Sequence, residues 1–411
     1  MKKHTADWMR AALALILLCG VISACAGPTA SPPPTPEPAV QAQPTPTNPP
    51  LTAASPPPTV TPSPTVTVQA PTPTPDPVTG LTGKYPPQPE GVPFPDEDWP
   101  AGEWPDGVDR AAIDAVVDTA FGSGGPNRVT AVLIVHGGKL IYERYSPNGA
   151  DTPTALMPGY SMAKSITSAL IGIMVRDGRL SVIDPATVPE WPAGDPRAGI
   201  TIDNLLRMES GLEFSQGRPP DFGDQGAMVL SGDAARYAAE KPLVNPPGSE
   251  FHYSSGNTVI LARILADQAG YGEDFLNFVH AELFDKLGIQ RFDLQLDRSG
   301  TWLGSHAASL TARDWAKFGL LYLRDGVWDG ERILPEGWVD YSRTPASTNP
   351  EYDAGWWLDL LRPQVFYAVG AFGQAITVDL EHDLVIVTLA TDSQTSLPVS
   401  EVILNAFAAA D

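Results

Sequence analysis

The sequence predicts an α/β domain in which an antiparallel sheet is flanked by N- and C-terminal helices and interrupted by a mostly helical insertion. Three observations lead to this prediction. A helical pattern and a hairpin occupy residues 106–145, short helical patterns fill residues 200–345, and strand patterns return after residue 350 before a last helix. Because the strands at the two ends of this region need one another to form a sheet, the region is predicted to be a single interleaved unit.

The first elements are predicted from periodicity. Residues 106–122 carry apolar side chains at helical spacing, which predicts an amphipathic helix. Two β-rich runs then surround Gly137 and Gly138, and paired glycines between such runs are typical of a tight hairpin. Residues 161–176 are almost entirely small or apolar and predict a buried helix.

The later elements complete the pattern. Short helices are predicted within residues 201–212, 258–270, 274–288 and 311–326. The segments VFYAVG, GQAITVDL and LVIVTLAT then read as strands, and VSEVILNAFAAA reads as a closing helix. No internal repeat is present in the sequence.

The N-terminus is predicted to be an export signal spanning residues 1–25. A basic start is followed by the short apolar run AALALILLCGVI, which is shorter than a membrane span of about 20 residues. The sequence ISAC resembles a bacterial lipobox, which implies cleavage before Cys25 and attachment of a lipid to its thiol. Cleavage after Ala26, with plain secretion, remains an alternative because small residues also satisfy that rule, and a permanent uncut anchor is the third.

Residues 26–100 are predicted to be a disordered linker and residues 101–411 the folded domain. The linker is dominated by proline, threonine, serine and alanine, so it has too little apolar surface to offset the entropy of ordering. Its prolines favour an extended spacer of about 3.1 Å per residue. A spacer of this kind fits a domain that is held to a membrane by a lipid on Cys25.

Composition excludes several classes of function. The formal net charge is -22, and such a surface repels nucleic acid, so no nucleic-acid partner is predicted. The two cysteines, Cys19 and Cys25, both precede the linker. The domain therefore has no disulfide and no thiolate metal site.

Ser161 and Lys164 are the first candidate catalytic pair. They form the sole Ser-x-x-Lys in the chain, and residues three apart share one face of a helix. The backbone N–H of a serine at the head of a helix can also donate to an oxyanion. Apolar neighbours would disfavour the charged form of Lys164 and lower its pKa, as a base for a serine hydroxyl requires.

Tyr253 and Ser255 form the second candidate group. Tyr253 follows a turn rich in proline and glycine and precedes a predicted helix, so its hydroxyl could reach into a cleft. It is the one tyrosine of eleven with serine or asparagine two positions later. Half-buried packing is the alternative role for such a tyrosine.

The third candidate is the predicted strand that contains Gly370, with Gly373 close behind. Glycines in a strand indicate that something approaches the backbone closely. A substrate carbonyl bound to a strand N–H and a neighbouring element packed on a bulge both satisfy this pattern.

Together these motifs resemble the penicillin-recognising serine hydrolases, for which Ser-x-x-Lys is a signature. The segments FHYSSGN, GAFGQ and TARDWAKFGLLYLRDG look most like the class C β-lactamases and the esterases of the 6-aminohexanoate-dimer hydrolase type. The resemblance covers residues 105–409. It implies a β-lactamase-like fold and acyl-enzyme chemistry that needs no metal or cofactor.

The resemblance also implies roles for individual residues. Ser161 is the nucleophile, and Lys164 is its base or the partner that keeps Tyr253 able to act as one. Tyr253 relays the proton to the leaving group and helps to activate the deacylating water. Ser255 supports Lys164 or the substrate. The backbone N–H groups of Ser161 and Ala371, next to Gly370, form the oxyanion hole.

One departure from the β-lactamases bears on the substrate. Those enzymes carry Lys-Thr-Gly or His-Thr-Gly on the third motif, whereas VFYAVGAFGQ has no cationic side chain. Arg343 and Arg362 are the candidates to reach in from elsewhere, and Trp356 or Trp357 could line the rim. The predicted substrate is therefore a small ester, amide or peptide. A β-lactamase or D-Ala-D-Ala peptidase, a penicillin-recognising sensor without turnover, and an inert surface lipoprotein are the alternatives.

Overall fold

A computed structural model describes residues 85–410 apart from 87, 97, 123–128, 147–151, 218–221 and 392–395. All of the described residues belong to one compact unit. The predicted signal peptide, Cys25 and most of the predicted linker lie outside the described residues. No helix in the described part of the chain is both long and apolar enough to cross a membrane.

The secondary structure follows the predicted order. The helices of the described chain are α1 Arg110–Gly122, α2 Ala163–Arg176, α3 Ile202–Leu206, α4 Gly223–Ser231, α5 Ala234–Ala239, α6 Ser255–Ala269, α7 Glu273–Val279, α8 Ala312–Leu323, α9 Trp338–Ser342 and α10 Ser396–Ala408. The strands are β1 Val129–His136, β2 Lys139–Tyr145, β3 Met157–Pro158, β4 Phe292–Leu294, β5 Ala308–Leu310, β6 Val327–Trp328, β7 Glu331–Arg332, β8 Tyr352–Asp353, β9 Trp356–Leu358, β10 Val365–Gly370, β11 Gln374–Asp379 and β12 Leu384–Ala390.

The main sheet has seven strands in the order β2-β1-β12-β11-β10-β9-β8, and every neighbouring pair is antiparallel. The hairpin between β1 and β2 turns at Gly137 and Gly138, which have φ values of 57° and 72°. The first hairpin thus pairs directly with the last strand of the chain. The interleaved α/β unit that the sequence predicts is confirmed.

The two faces of the sheet are covered by different helices. On one face the terminal helices α1 and α10 bury a cluster that includes Ile113, Val117 and Ile403. On the other face α8 packs closely, because a Cβ on Gly319 would lie 2.6 Å from the Val385 side chain. This second face carries the larger core and the helical insertion.

Helix α2 runs through the centre of this larger core. Twelve of its fourteen residues are buried, including Lys164. The turn between β8 and β9 is fixed to it, because Ser165 Oγ donates to the Gly355 carbonyl at 2.7 Å. Asp353 in β8 is fully buried and forms an ion pair with Arg207. The first contact holds the β8–β9 turn against the start of α2, and the second ties β8 to the end of α3.

The folded part of the chain begins before residue 100, where the sequence predicts the boundary between linker and domain. The Tyr85 hydroxyl lies 2.5 Å from the Tyr322 carbonyl oxygen and 2.8 Å from the Leu323 carbonyl oxygen at the end of α8, and these two acceptors share its one proton. The Phe94 ring lies 5.0 Å from that of Trp328, and Trp99 is 8% exposed. The aromatic residues within residues 85–100, which composition assigns to the linker, therefore pack on the domain.

Candidate active site

Ser161 lies in a strained turn at the entrance to α2. It is the middle residue of the 3-10 turn Tyr160–Met162, so it precedes the helix instead of opening it as predicted. Tyr160 has a φ of 48°, a left-handed conformation that costs a bulky residue roughly 1–3 kcal/mol. Its ring lies 5.1 Å from the ring of Phe372, which also has a left-handed φ of 62°. Such strain persists only where the surroundings impose it.

Two glycines allow the turn to be held this tightly. The Gly159 N–H donates to the Ala308 carbonyl at 2.8 Å, and a Cβ on Gly159 would lie 2.2 Å from Trp315. A Cβ on Gly370 would lie 2.0 Å from the Gly159 carbonyl oxygen. The close approach that Gly370 permits is therefore made by the turn that carries Ser161. The sequence left two explanations for Gly370, a bound substrate carbonyl or a packed neighbouring element. The contact in the structure is with a packed neighbouring element.

Lys164 is buried and faces three oxygen atoms. It is 3% exposed, and its Nζ lies 3.3 Å from Ser161 Oγ, 3.3 Å from Ser255 Oγ and 2.8 Å from the Ser305 carbonyl oxygen. The ammonium group has three N–H donors, one for each of these oxygens. The role of Lys164 as the base of Ser161 stays a prediction.

Tyr253 contacts Lys164 through its ring. It lies in the extended segment before α6, and Lys164 Nζ sits 4.9 Å from the centre of the ring. The ring packs edge-on against Tyr352 at 5.7 Å and lies 5.5 Å from that of Trp357. Tyr253 thus combines the packing role and a position beside the amine.

Ser255 opens α6 and is buried, with 1% exposure. Its Oγ accepts a hydrogen bond from Gln216 Nε2 at 2.9 Å, and its backbone N–H donates to Gln216 Oε1 at 3.0 Å. The Ser254 side chain caps the same helix by accepting from the Gly256 N–H at 3.1 Å. Ser255 is therefore held at both its backbone and its side chain.

Ala371 begins the 3-10 turn Ala371–Gly373 that follows β10. It is 6% exposed, and β10 packs against the turn that holds Ser161. The structure thus brings together Ser161, Lys164, Tyr253 and Ser255, here called the catalytic group because the sequence predicts that role. Gly370 lies beside the turn that carries Ser161. The oxyanion role of Ala371 stays a prediction.

Three residues of this site carry no signal in the sequence. Gln216 lies in the segment between α3 and α4, and Ser305 and His306 lie between β4 and β5. Burial, and to a smaller extent the charge of Lys164, lowers the pKa of His306 to about 4. Ser305 Oγ and His306 Nδ1 lie 2.8 Å apart. The tertiary fold brings Gln216, Ser305 and His306 to the site. No sequence motif contains these three residues, so the sequence could not predict them.

The two arginines that could have replaced the missing cation are engaged elsewhere. Arg362 forms ion pairs with Asp359 and Glu401. Arg343 pairs with Asp340 and lies over the Tyr85 ring. Neither of these contacts involves a residue of the catalytic group.

Trp356 and Trp357 divide the two roles that the sequence leaves open. Trp356 is fully buried, and its ring lies 4.3 Å from the Tyr322 ring within the core. Trp357 is half-buried and packs on Tyr352 at 4.9 Å as well as on Tyr253. Trp357 is thus the tryptophan that borders the catalytic group.

Comparison with known proteins agrees with this geometry. Residues 121–410 match the family described as Beta-lactamase. A 6-aminohexanoate-dimer hydrolase of Paenarthrobacter ureafaciens is 26% identical over 291 residues, and the match covers 64% of this chain and 72% of that protein.

Two solved structures share the fold. A putative 6-aminohexanoate-dimer hydrolase from Bacillus anthracis has a TM-score of 0.64 at 22% identity, covering 77% of this chain and 88% of that one. EstCE1, a hydrolase with promiscuous acyltransferase activity, has a TM-score of 0.57 at 17% identity, covering 72% and 97%. The family match spans more than half of the sequence and the whole catalytic group, so the chain belongs to the beta-lactamase family of serine hydrolases.

Proposed function

We propose that this protein hydrolyses a small ester or amide through an acyl-enzyme formed on Ser161. The observation that supports the proposal is the position of Lys164, a buried amine 3.3 Å from Ser161 Oγ. A hydroxyl is a weak nucleophile until a base removes its proton, and a desolvated lysine is one of the groups that can do so.

The proposed reaction has two halves. Lys164 accepts the Ser161 proton as Oγ attacks the substrate carbonyl, and the proton then passes to the leaving alcohol or amine as the tetrahedral intermediate collapses. Tyr253, whose ring lies against the amine, is proposed to carry this proton. Water attacks the resulting ester in the second half, and its proton returns through the same groups while Ser161 is released.

The backbone N–H groups of Ser161 and Ala371 are proposed to hold the developing oxyanion. Each donor of this kind is typically worth roughly 3 kcal/mol in the transition state. The turn that carries Ser161 is held by packing on both sides, so its N–H can be preorganised without reorganisation during the reaction.

The proposed substrate has an uncharged group where penicillins have a carboxylate. The support is the absence of a cation from VFYAVGAFGQ, together with the engagement of Arg343 and Arg362 in other ion pairs. Aromatic rings border the catalytic group instead, which suits an apolar acyl or alcohol group. The 6-aminohexanoate dimer, named for the relative in Paenarthrobacter ureafaciens, is one amide to include in a substrate screen.

The test compares Ser161→Ala with wild type on a short-chain nitrophenyl ester, a chromogenic cephalosporin, a D-Ala-D-Ala peptide and the 6-aminohexanoate dimer. Ser168→Ala, in the helix that follows Ser161, is the matched control. We expect ester or amide turnover to vanish in Ser161→Ala alone, together with labelling by a fluorophosphonate. Unchanged turnover in Ser161→Ala contradicts the mechanism, and a single burst of product without turnover favours a sensor.

We also propose that the protein is exported and anchored through a lipid on Cys25. The support is the N-terminal signal with its lipobox and the proline-rich spacer behind it. Cys25→Ser is expected to release the protein from the membrane fraction. A variant that stays membrane-bound contradicts the anchor, and a wild type found in the medium favours plain secretion.

A further inference from the structure

Two aromatic residues occupy strained positions beside the two donors of the proposed oxyanion hole. Tyr160 comes directly before Ser161, and Phe372 comes directly after Ala371. Their φ values of 48° and 62° lie in the left-handed region, which glycine adopts freely and a bulky residue adopts at a cost. The next residue, Gly373, has a φ of 87°. The chain thus uses glycine nearby but keeps aromatic rings at two positions where glycine would relieve the strain.

The two rings join the segments that carry the donors. Their centroids are 5.1 Å apart and their planes are tilted by 58°, which is within the range of attractive aromatic pairs. Both rings are half-buried. The backbones of the same two segments also meet, because a Cβ on Gly370 would lie 2.0 Å from the Gly159 carbonyl oxygen. The segments are therefore held together at two points, one through the backbone and one through the rings.

The N–H groups of Ser161 and Ala371 are not used by these contacts. Each residue lies in the first half of a 3-10 turn, where an N–H group has no partner inside the turn. Among the described residues, neither N–H donates a hydrogen bond to another part of the chain. Backbone N–H groups are rarely left without a partner. Two such groups on joined segments are therefore available to an oxygen of the substrate.

We propose that the ring pair of Tyr160 and Phe372 holds the N–H groups of Ser161 and Ala371 at the separation that an oxyanion requires. Both aromatic residues are positioning residues, because each acts through the backbone of its neighbour. The strain is retained because glycine at either position would remove the ring that joins the segments. The proposal deepens the proposed function and rests on Ser161 as the nucleophile.

Substitutions at Phe372 separate the ring from the backbone conformation. Phe372→Ala removes the ring and keeps the left-handed strain, whereas Phe372→Gly removes both. Phe372→Gly should therefore be the more stable of the two variants, the reverse of the usual order of alanine and glycine. Both should nevertheless react slowly, because both lack the ring. Phe372→Tyr keeps the ring and should retain most of the rate.

The readout is the second-order rate of Ser161 labelling by a fluorophosphonate. The phosphoryl oxygen of this probe takes the place of the oxyanion, and labelling does not require turnover. Removal of one oxyanion donor typically costs about 10²–10³ in rate, so a displaced donor is expected to cost roughly tenfold or more. In ester turnover the loss is expected in kcat with KM nearly unchanged, because the oxyanion develops only in the transition state.

A double-mutant cycle tests whether the rings act as a pair. Tyr160→Ala should slow labelling as Phe372→Ala does, and the double variant should lose little more, because the contact is already broken. Losses that multiply in the double variant overturn the pair. Tyr160→Phe keeps the ring and should retain most of the rate. A rate as low as that of Tyr160→Ala assigns the effect to the hydroxyl and also overturns the proposal.

Phe94→Ala is the matched control, since Phe94 is half-buried and its ring lies 5.0 Å from that of Trp328 at a tilt of 55°. It is expected to lower the melting temperature without changing the labelling rate. Wild-type rates in folded Phe372→Ala and Phe372→Gly overturn the positioning role. A wild type that labels but never turns over an ester contradicts the hydrolase proposal and leaves this test valid, whereas a wild type that is never labelled overturns both proposals.

Discussion

Gly370→Ala is expected to displace the turn that carries Ser161 without changing a side chain of the catalytic group. The new Cβ would lie 2.0 Å from the Gly159 carbonyl oxygen, whereas ordinary contacts of this kind begin at 3.4 Å. The two segments must move apart by about 1.4 Å, and a misplacement of 1 Å near a reacting group can cost about 100-fold in rate. Because the φ of Gly370 is -121°, which alanine adopts freely, the effect comes from the contact alone.

We therefore expect kcat for a nitrophenyl ester to fall about 100-fold, which corresponds to about 2.7 kcal/mol of transition-state stabilisation. The unfolding free energy is expected to fall by about 1–3 kcal/mol, as for other overpacked sites. Urea unfolding and steady-state kinetics measure the two effects separately.

Gly199→Ala is the matched control for this experiment. No atom lies within 4 Å of a Cβ built on Gly199, so neither rate nor stability should change. A Gly370→Ala protein with wild-type kcat and wild-type stability would refute the reasoning, because the added Cβ would then fit without moving the turn.

Further substitutions test the other parts of the site. Lys164→Met should abolish fluorophosphonate labelling of Ser161, because it removes the amine that is proposed to be the base, and intact-mass analysis detects the adduct. Tyr253→Phe keeps the ring against Lys164 but removes the hydroxyl, so kcat should fall by roughly 10²–10⁴ while the melting temperature changes little; wild-type kcat excludes the relay. Trp357→Ala removes a ring that packs on Tyr253, so kcat/KM should fall for short esters and fall less for bulky ones, as a panel of acyl chain lengths would show. His306 has a folded-state pKa of about 4 against an ordinary value of 6.5. Between these pH values the unfolded chain binds a proton at His306 that the folded chain does not bind. Stability should therefore fall as the pH drops from 6.5 towards 4, and His306→Gln should flatten that fall in unfolding titrations.

The pair Ser161 and Lys164 was open to prediction because its geometry is local. Residues three apart share one face of a helical turn. The 3-10 turn before α2 keeps this arrangement, so Lys164 Nζ lies 3.3 Å from Ser161 Oγ. Tyr253 and Ser255 are remote in sequence, and they became candidates through the order of motifs along the chain. Their contact with Lys164 is made by the fold.

Gln216 could not have been singled out in the same way. Its contacts with Ser255 span 39 residues, and nothing distinguishes it from the other glutamines of the chain. Gly370 was ambiguous for a related reason: a glycine shows that something comes close, and only the structure shows that it is the Gly159 carbonyl. Composition assigned residues 85–100 to the linker because it averages over many residues, whereas the packing of Tyr85, Phe94 and Trp99 depends on individual side chains.

The same division between local and remote contacts governs how the site should fail. Ser161 and Lys164 stay neighbours as long as α2 and its turn persist, but the direction of the amine depends on Ser255 and on the Ser305 carbonyl, 91 and 141 residues from Lys164. Those two partners belong to the start of α6 and to the loop before β5, which reach Lys164 only through tertiary packing. Mild denaturant should therefore reduce labelling of Ser161 before it reduces the helical signal, because the base loses its orientation while the pair itself remains together.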